Sequence, residues 1–201
     1  MKEKMLPDSL EKEIQEKLDL YEQLLRKWQK SLNLVSNASL EDARVRHFED
    51  SMQLAVFIPQ QSVLFDIGSG AGFPGLVLAM IRPDLAVTLI ESDTKKCTFL
   101  STVSRETVTP VTIINQRLEN VSRETIPDII TARALASLDK LLDYCLPWAQ
   151  ENPALTLLFL KGEKAEEEIK LAKIRYEFDV LCFPGKTGDG AVVQINNLSG
   201  K

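Results

Sequence analysis

Four glycines fall within eight residues, directly after a short apolar run that carries one acid: Val63-Leu64-Phe65-Asp66-Ile67, then Gly68-Ser69-Gly70-Ala71-Gly72-Phe73-Pro74-Gly75. No other stretch restricts the possible folds as much. The apolar residues 76–81 follow at once, so the order reads as buried strand, tight turn, helix. Glycine at such a turn admits positive φ and lets the backbone approach a ligand closely. A turn of this kind belongs at the carboxyl edge of a strand in an open α/β sheet, where ligands bind.

Two ligand classes compete for the turn. Gly70-Ala71-Gly72-Phe73-Pro74-Gly75 satisfies the G-x-G-x-x-G dinucleotide pattern. Asp66-Ile67-Gly68-Ser69-Gly70 satisfies acid-x-Gly-x-Gly, which resembles the first motif of S-adenosylmethionine-dependent methyltransferases. The acid separates the two. A pyrophosphate seeks the free N–H groups of a helix N-terminus and is repelled by a carboxylate in the loop, whereas an ammonium and a sulfonium suit one. The reading therefore favours S-adenosylmethionine over a non-catalytic dinucleotide-binding module.

Around the turn the chain divides into an N-terminal helical cap, residues 1–60, and one compact core, residues 61–201. Leu10, Ile14, Leu18, Tyr21, Leu25, Trp28 and Leu32 recur at helical spacing and predict a long helix over 8–32, with Asp8 and Glu11 in capping-box positions. A second helix is expected from about Ser39, with Val45, Phe48, Met52 and Ala55 as its apolar stripe. Strands are expected at 63–67, 86–90, 111–114, 129–131 and 155–160, with helices at 75–81, 94–106, 137–148 and 163–173 between them. Two further strands, 176–183 and 191–195, are too close in sequence for a helical crossover and so are expected to be antiparallel to each other. The expected class is α/β: a Rossmann-like, mostly parallel, seven-stranded sheet with an N-terminal helical extension.

In a parallel sheet the residues just after each strand share one edge. That rule gathers Gly68 and Gly70, Glu91, Leu118 and Glu119, Arg133 and Lys161. Glu91 closes the second strand, where an acid accepts both ribose hydroxyls of a nucleoside. Leu118 and Glu119 would meet the adenine ring and its edge. Arg133 stands in an otherwise almost uncharged run, and a buried guanidinium needs a partner: Asp66 or Glu91, a substrate phosphate, or a base. Lys161, at the end of the most apolar strand, raises the same question. Arg133 and Lys161 are the candidate positioning groups. Arg44, Arg46 and His47 form a small basic cluster and, with Lys161, are the candidates for holding RNA.

Composition removes several classes. Three scattered cysteines and one histidine among 201 residues leave no disulfide framework and no metal site. No apolar run reaches the ~18 residues of a membrane span, and residues 1–5 show no leader pattern, so a cytoplasmic protein is expected. The net charge of −5 means that any nucleic-acid contact rests on local patches.

Several segments together resemble the RsmG/GidB family: Asn33-Leu34-Val35, Val45-Arg46-His47-Phe48-Glu49-Asp50-Ser51, the glycine turn, Arg133-Ala134-Leu135-Ala136-Ser137-Leu138 and Leu160-Lys161-Gly162. The likeness spans residues 20–195. It implies a class I methyltransferase that uses S-adenosylmethionine to methylate N7 of one guanine in 16S rRNA, free or in the small ribosomal subunit. A monomer is expected. By the same likeness Gly68, Phe73, Leu118, Glu119 and Arg133 contact the methyl donor, and Glu91 stands where the family has its ribose-binding acid. Family members commonly carry an Arg-His pair before the last strand, where this chain has Asp189-Gly190-Ala191. That departure and the acidic balance keep open a methyltransferase for a protein or small molecule.

Overall fold

The computed structural model describes residues 8–186 and 190–201, the side chains at 8 and 10 apart. The expected capping box at Asp8 and the N-terminal reading of residues 1–5 lie outside that description, as does Asp189. Helix α1 (Asp8–Gln29) is followed by a short α2 (Asn37–Glu41). A continuous helical run comes next: a π-helical stretch Arg44–Glu49, α3 (Asp50–Met52) and a 3-10 turn Gln53–Phe57. The core then alternates as β1 (Val63–Ile67), α4 (Gly75–Ile81), β2 (Ala86–Ile90), α5 (Thr94–Glu106), β3 (Thr112–Ile114), β4 (Ile129–Arg133), α6 (Leu138–Glu151), β5 (Thr156–Lys161), α7 (Ala165–Arg175), β6 (Tyr176–Pro184) and β7 (Ala191–Gly200).

The sheet order is β3-β2-β1-β4-β5-β7-β6. Strands β1 to β5 pair in parallel, and β7 inserts between β5 and β6, antiparallel to both. The expected terminal antiparallel pair is present, and only β7 runs against the other strands. Alternate side chains of each central strand feed two apolar layers, as period-2 geometry requires. Leu64, Val87 and Leu89 pack with α1, α4 and α5, while Phe65, Ile67, Ile130 and Ala132 pack with α6 and α7.

The N-terminal helices belong to the first layer. Leu18, Tyr21 and Leu25 of α1 are buried, as their spacing predicts. The Tyr21 ring stacks on Phe73 at 5.2 Å, and its hydroxyl donates to the Ala71 carbonyl inside the glycine turn. Helix α1 stops at Gln29, short of the expected Leu32, because that side chain is used to hold the next loop: Oε1 accepts from Leu34 N at 2.9 Å and Val35 N at 3.1 Å. The second helix departs more. Ser36, not Ser39, caps it, and the π-helical stretch breaks the expected stripe. Val45 is 45% exposed, whereas His47 and Phe48 are buried. A π turn takes one residue more than an α turn, so the inward face slips along the sequence.

Candidate functional site

The glycine turn is built by its own hydrogen bonds. Ser69 N donates to Ile90 O at 3.1 Å, tying the turn to the end of β2, and Ser69 Oγ donates to Asp66 O at 2.8 Å. Gly68, Gly70 and Gly72 take φ of +63°, +56° and +93°, a region costly for residues with a Cβ. Next to it, Glu91 Oε2 accepts from Gly70 N at 2.9 Å and Oε1 accepts from Asp93 N at 2.8 Å. Asp93 in turn caps α5 through the N–H groups of Lys95 and Lys96. Asn115, after β3, donates to the carbonyls of Glu91 and Ser92 at 3.0 and 3.1 Å. The ends of β1, β2 and β3 are therefore held together by side chains as well as by the ladder.

These edges enclose a cavity of about 640 Å³, within the range of small-molecule sites. It is lined by Gly68, Gly70, Phe73, Glu91, Leu118, Glu119 and Arg133, every cofactor candidate except Asp66. Asp66 is fully buried and lies outside the lining. Its place in the pleat matches that of Leu64, so it points into the layer beneath α4 and not toward the strand edge. There Oδ1 accepts from Thr131 Oγ1 at 2.8 Å, and Oδ2 has no hydrogen-bond partner.

The RNA candidates fare differently. Arg44 pairs with Asp19 and with Glu22 Oε2, the latter at 2.6 Å, and so joins the helical run to α1. Lys161 Nζ lies 2.6 Å from Glu168 Oε2 and donates to Ala136 O at 2.9 Å. It anchors the loop after β4 and does not line the cavity. Arg46 is exposed. His47, a candidate for holding RNA, is 7% exposed and stacks on Phe73 at 5.0 Å. Arg133 is not paired with Asp66 or Glu91. Its Nη1 donates to His47 Nδ1 at 2.7 Å and to Arg46 O at 3.1 Å, and its guanidinium lies over the Phe73 ring at 4.8 Å. Burial pulls its pKa down, while the charge of Asp50, and to a lesser extent those of Tyr21 and Asp66, oppose that.

Sequence reasoning missed part of the wall: Leu34, Val35 and Ser36 from the loop that Gln29 holds, Lys96 and Arg117, and Leu135 after β4. The signal for Arg117 was present, since it directly precedes Leu118. Lys96 sits in the first turn after the Glu91 edge.

Two buried titrations oppose each other here. Burial pushes Asp66 up to about 6, partly offset by the Thr131 hydroxyl, so this group favours the folded state at low pH and that contribution is lost as pH rises through about 6. Burial, then the Arg133 charge, pulls His47 down to about 4, so its contribution is full above the ordinary histidine value and is lost as pH falls toward about 4. The two slopes nearly cancel between them. Asp66→Asn keeps an acceptor for Thr131 and removes one slope, worth about 3 kcal/mol for a two-unit shift. The expected result is a melting temperature that rises clearly from pH 4.5 to 7 in the variant and stays nearly flat in the wild type. Parallel profiles in thermal unfolding would contradict it.

A sequence-family model described as "GidB: rRNA small subunit methyltransferase G" matches residues 14–187. Proteins called ribosomal RNA small subunit methyltransferase G are similar over most of their length. The one from Paramagnetospirillum magneticum is 44% identical, covering 95% of this chain and 92% of its own. The one from Parvibaculum lavamentivorans is 40% identical, covering 96% and 87%. Among solved structures, the N-methyltransferase NodS from Bradyrhizobium japonicum, in complex with S-adenosylhomocysteine, superposes with a TM-score of 0.57 over 88% of this chain and 97% of that one, at 14% identity.

Proposed function

Because the chain belongs to the GidB family of rRNA small subunit methyltransferases, we propose that it transfers a methyl group from S-adenosylmethionine to N7 of one guanine in 16S rRNA. The observation that carries this reading is the meeting of the glycine turn, Glu91, Leu118–Glu119 and Arg133 on one cavity. The residues fit the donor on chemical grounds. Each Glu91 oxygen uses one lone pair on a backbone N–H and keeps another for a ribose hydroxyl. Leu118 flanks the adenine, and Glu119 accepts at its edge. Arg133 lines the cavity and carries a guanidinium suited to the methionine carboxylate. Bound S-adenosylmethionine supplies a methyl group on a sulfonium.

Guanine N7 offers an in-plane lone pair and carries no proton, so the site needs no general base. None is present at His47, whose two ring nitrogens are both engaged. The chain's contribution is to hold the two reactants in line and to exclude water, the source of most of the rate in such a displacement.

The rRNA contacts fall to cations that the fold leaves unspent. Arg44 and Lys161 are committed to ion pairs. Lys96 and Arg117 line the cavity, and exposed Arg46 lies beside it. A neutral adenosine has no use for two cations at its end of the cavity, whereas an RNA strand crossing the mouth brings phosphates. Changing Lys96 and Arg117 together to Gln should raise KM for the RNA substrate about tenfold or more at low salt. It should also reduce the slope of log affinity against log salt by about 1.4, two single-strand phosphate contacts. An unchanged slope would remove these residues from the interface.

A ribosomal substrate supports a cytoplasmic location, and we expect the protein to act as a monomer. The direct test is incubation with S-adenosylmethionine and small subunits from a strain lacking the modification, followed by reverse-transcription mapping of N7-methylguanine. One new modified guanine is expected. No transfer to either naked rRNA or subunits would overturn the proposal.

A further inference from the structure

Arg133 presents a chemical problem that the donor alone does not solve. A guanidinium has donors only, and this one is wedged against an aromatic ring, where a backbone carbonyl and an imidazole accept from it and the charge of Asp50 supports it. The imidazole must therefore accept at Nδ1, which fixes the tautomer: the ring is neutral and its proton sits on Nε2. The far side of the ring agrees. His47 Nε2 lies 3.0 Å from Ser39 Oγ, which donates to Ser36 O and accepts from Ser36 Oγ, each at 2.9 Å, and keeps its second lone pair for the imidazole N–H. Ser36 caps α2 and Ser39 stands in its first turn, and both line the cavity. The result is a directed chain from the α2 cap through Ser39 and His47 to the Arg133 guanidinium, with Phe73 packed against both the imidazole and the guanidinium.

We propose that His47 is a positioning residue, which orients Arg133 toward the methyl donor by accepting its Nη1–H at Nδ1. This rests on the reading of Arg133 as the donor's carboxylate partner. Imidazole suits the task where a carboxylate does not. An acid at position 47 would add to the Asp50 charge that already acts on the guanidinium and compete with the ligand's carboxylate, whereas a neutral acceptor fixes its direction and adds no negative charge.

Asn and Gln separate this role from simple packing. An Asn Oδ1 can occupy the place of Nδ1 and accept from Arg133, whereas a Gln amide reaches toward the Nε2 position. His47→Asn should bind S-adenosylhomocysteine within about threefold of wild type, and His47→Gln should lose tenfold or more. The loss should vanish in an Arg133→Ala background, because the interaction it removes is already gone. Equal affinities for the two histidine variants, or His47→Gln and Arg133→Ala losses that multiply, would overturn the proposal.

A second measurement needs no change at position 47. The chain holds one histidine, so selective ¹⁵N labelling gives one pair of ring signals. At pH 7 they should report a proton on Nε2 and a bare, hydrogen-bonded Nδ1 whose shift moves in Arg133→Ala. An imidazolium or the opposite tautomer would overturn it. Failure of the underlying reading looks different: Arg133→Ala itself would then leave S-adenosylhomocysteine affinity unchanged.

Discussion

Glu91→Gln should weaken S-adenosylhomocysteine binding by roughly 10- to 100-fold, the equivalent of about 1.4 to 2.8 kcal/mol. The reason lies in the donors that already face this side chain. Gly70 N and Asp93 N each donate to a different carboxylate oxygen, at 2.9 and 2.8 Å. A glutamine accepts at one end only and turns an NH₂ toward the other N–H. One backbone donor at the cavity wall is then left without a partner, which costs about 1–3 kcal/mol, and the charge that strengthens a hydroxyl contact is gone. The turn and the start of α5 loosen together, so the loss falls on donor binding before it reaches the acceptor. Calorimetric titration with S-adenosylhomocysteine checks this, and an affinity within twofold of wild type would remove Glu91 from the site.

The second large effect is on stability. Gly72→Ala places a Cβ 2.6 Å from Leu76 Cδ1, 2.7 Å from the Tyr21 hydroxyl oxygen and 3.0 Å from Leu100 Cδ2, on a backbone with φ of +93°. Tyr21 has little room to yield, since it is fully buried and its hydroxyl is bonded to Ala71 O. Overpacking of about 1–3 kcal/mol adds to a backbone cost of about 1–2 kcal/mol. The melting temperature should fall by roughly 10 °C. Gly70→Ala is the matched comparison. Its φ is +56°, but the nearest atom to its Cβ is Gly68 O at 3.8 Å. It should lose far less stability while placing a methyl group at the wall where the ligand lies. Equal melting temperatures for the two variants would show that the buried contacts of Gly72 carry no weight.

How far the sequence could be read depended on how local the cause was. The bounds of β1, β2, α4 and α5 follow from apolar periodicity broken by Gly, Pro and Asp, and the structure places them at 63–67, 86–90, 75–81 and 94–106 as expected. The meeting of Gly70, Glu91, Leu118 and Arg133 was legible because strand order and parallel direction suffice to bring strand ends together. Asp66 was read as facing the ligand on charge alone, although its register with Leu64 already pointed it inward. Arg44 and Lys161 could not be judged from spacing. Their partners Glu22 and Glu168 come from helices whose approach depends on tertiary packing. His47 was hidden for a different reason: it was read with Arg44 and Arg46 as a basic cluster for RNA, but the π-helical stretch turns it onto Phe73, and one extra residue per turn leaves no mark in a periodic pattern.

The insertion of β7 between β5 and β6 also sets an order of events during synthesis. Until residues 191–200 leave the ribosome, β6 has no neighbour to join, and the outer edge of β5 stays open although everything needed for the ligand cavity has already been made. A nascent chain at that stage carries a complete pocket on an unfinished sheet, with the apolar edge of β5 available to chaperones or to other chains.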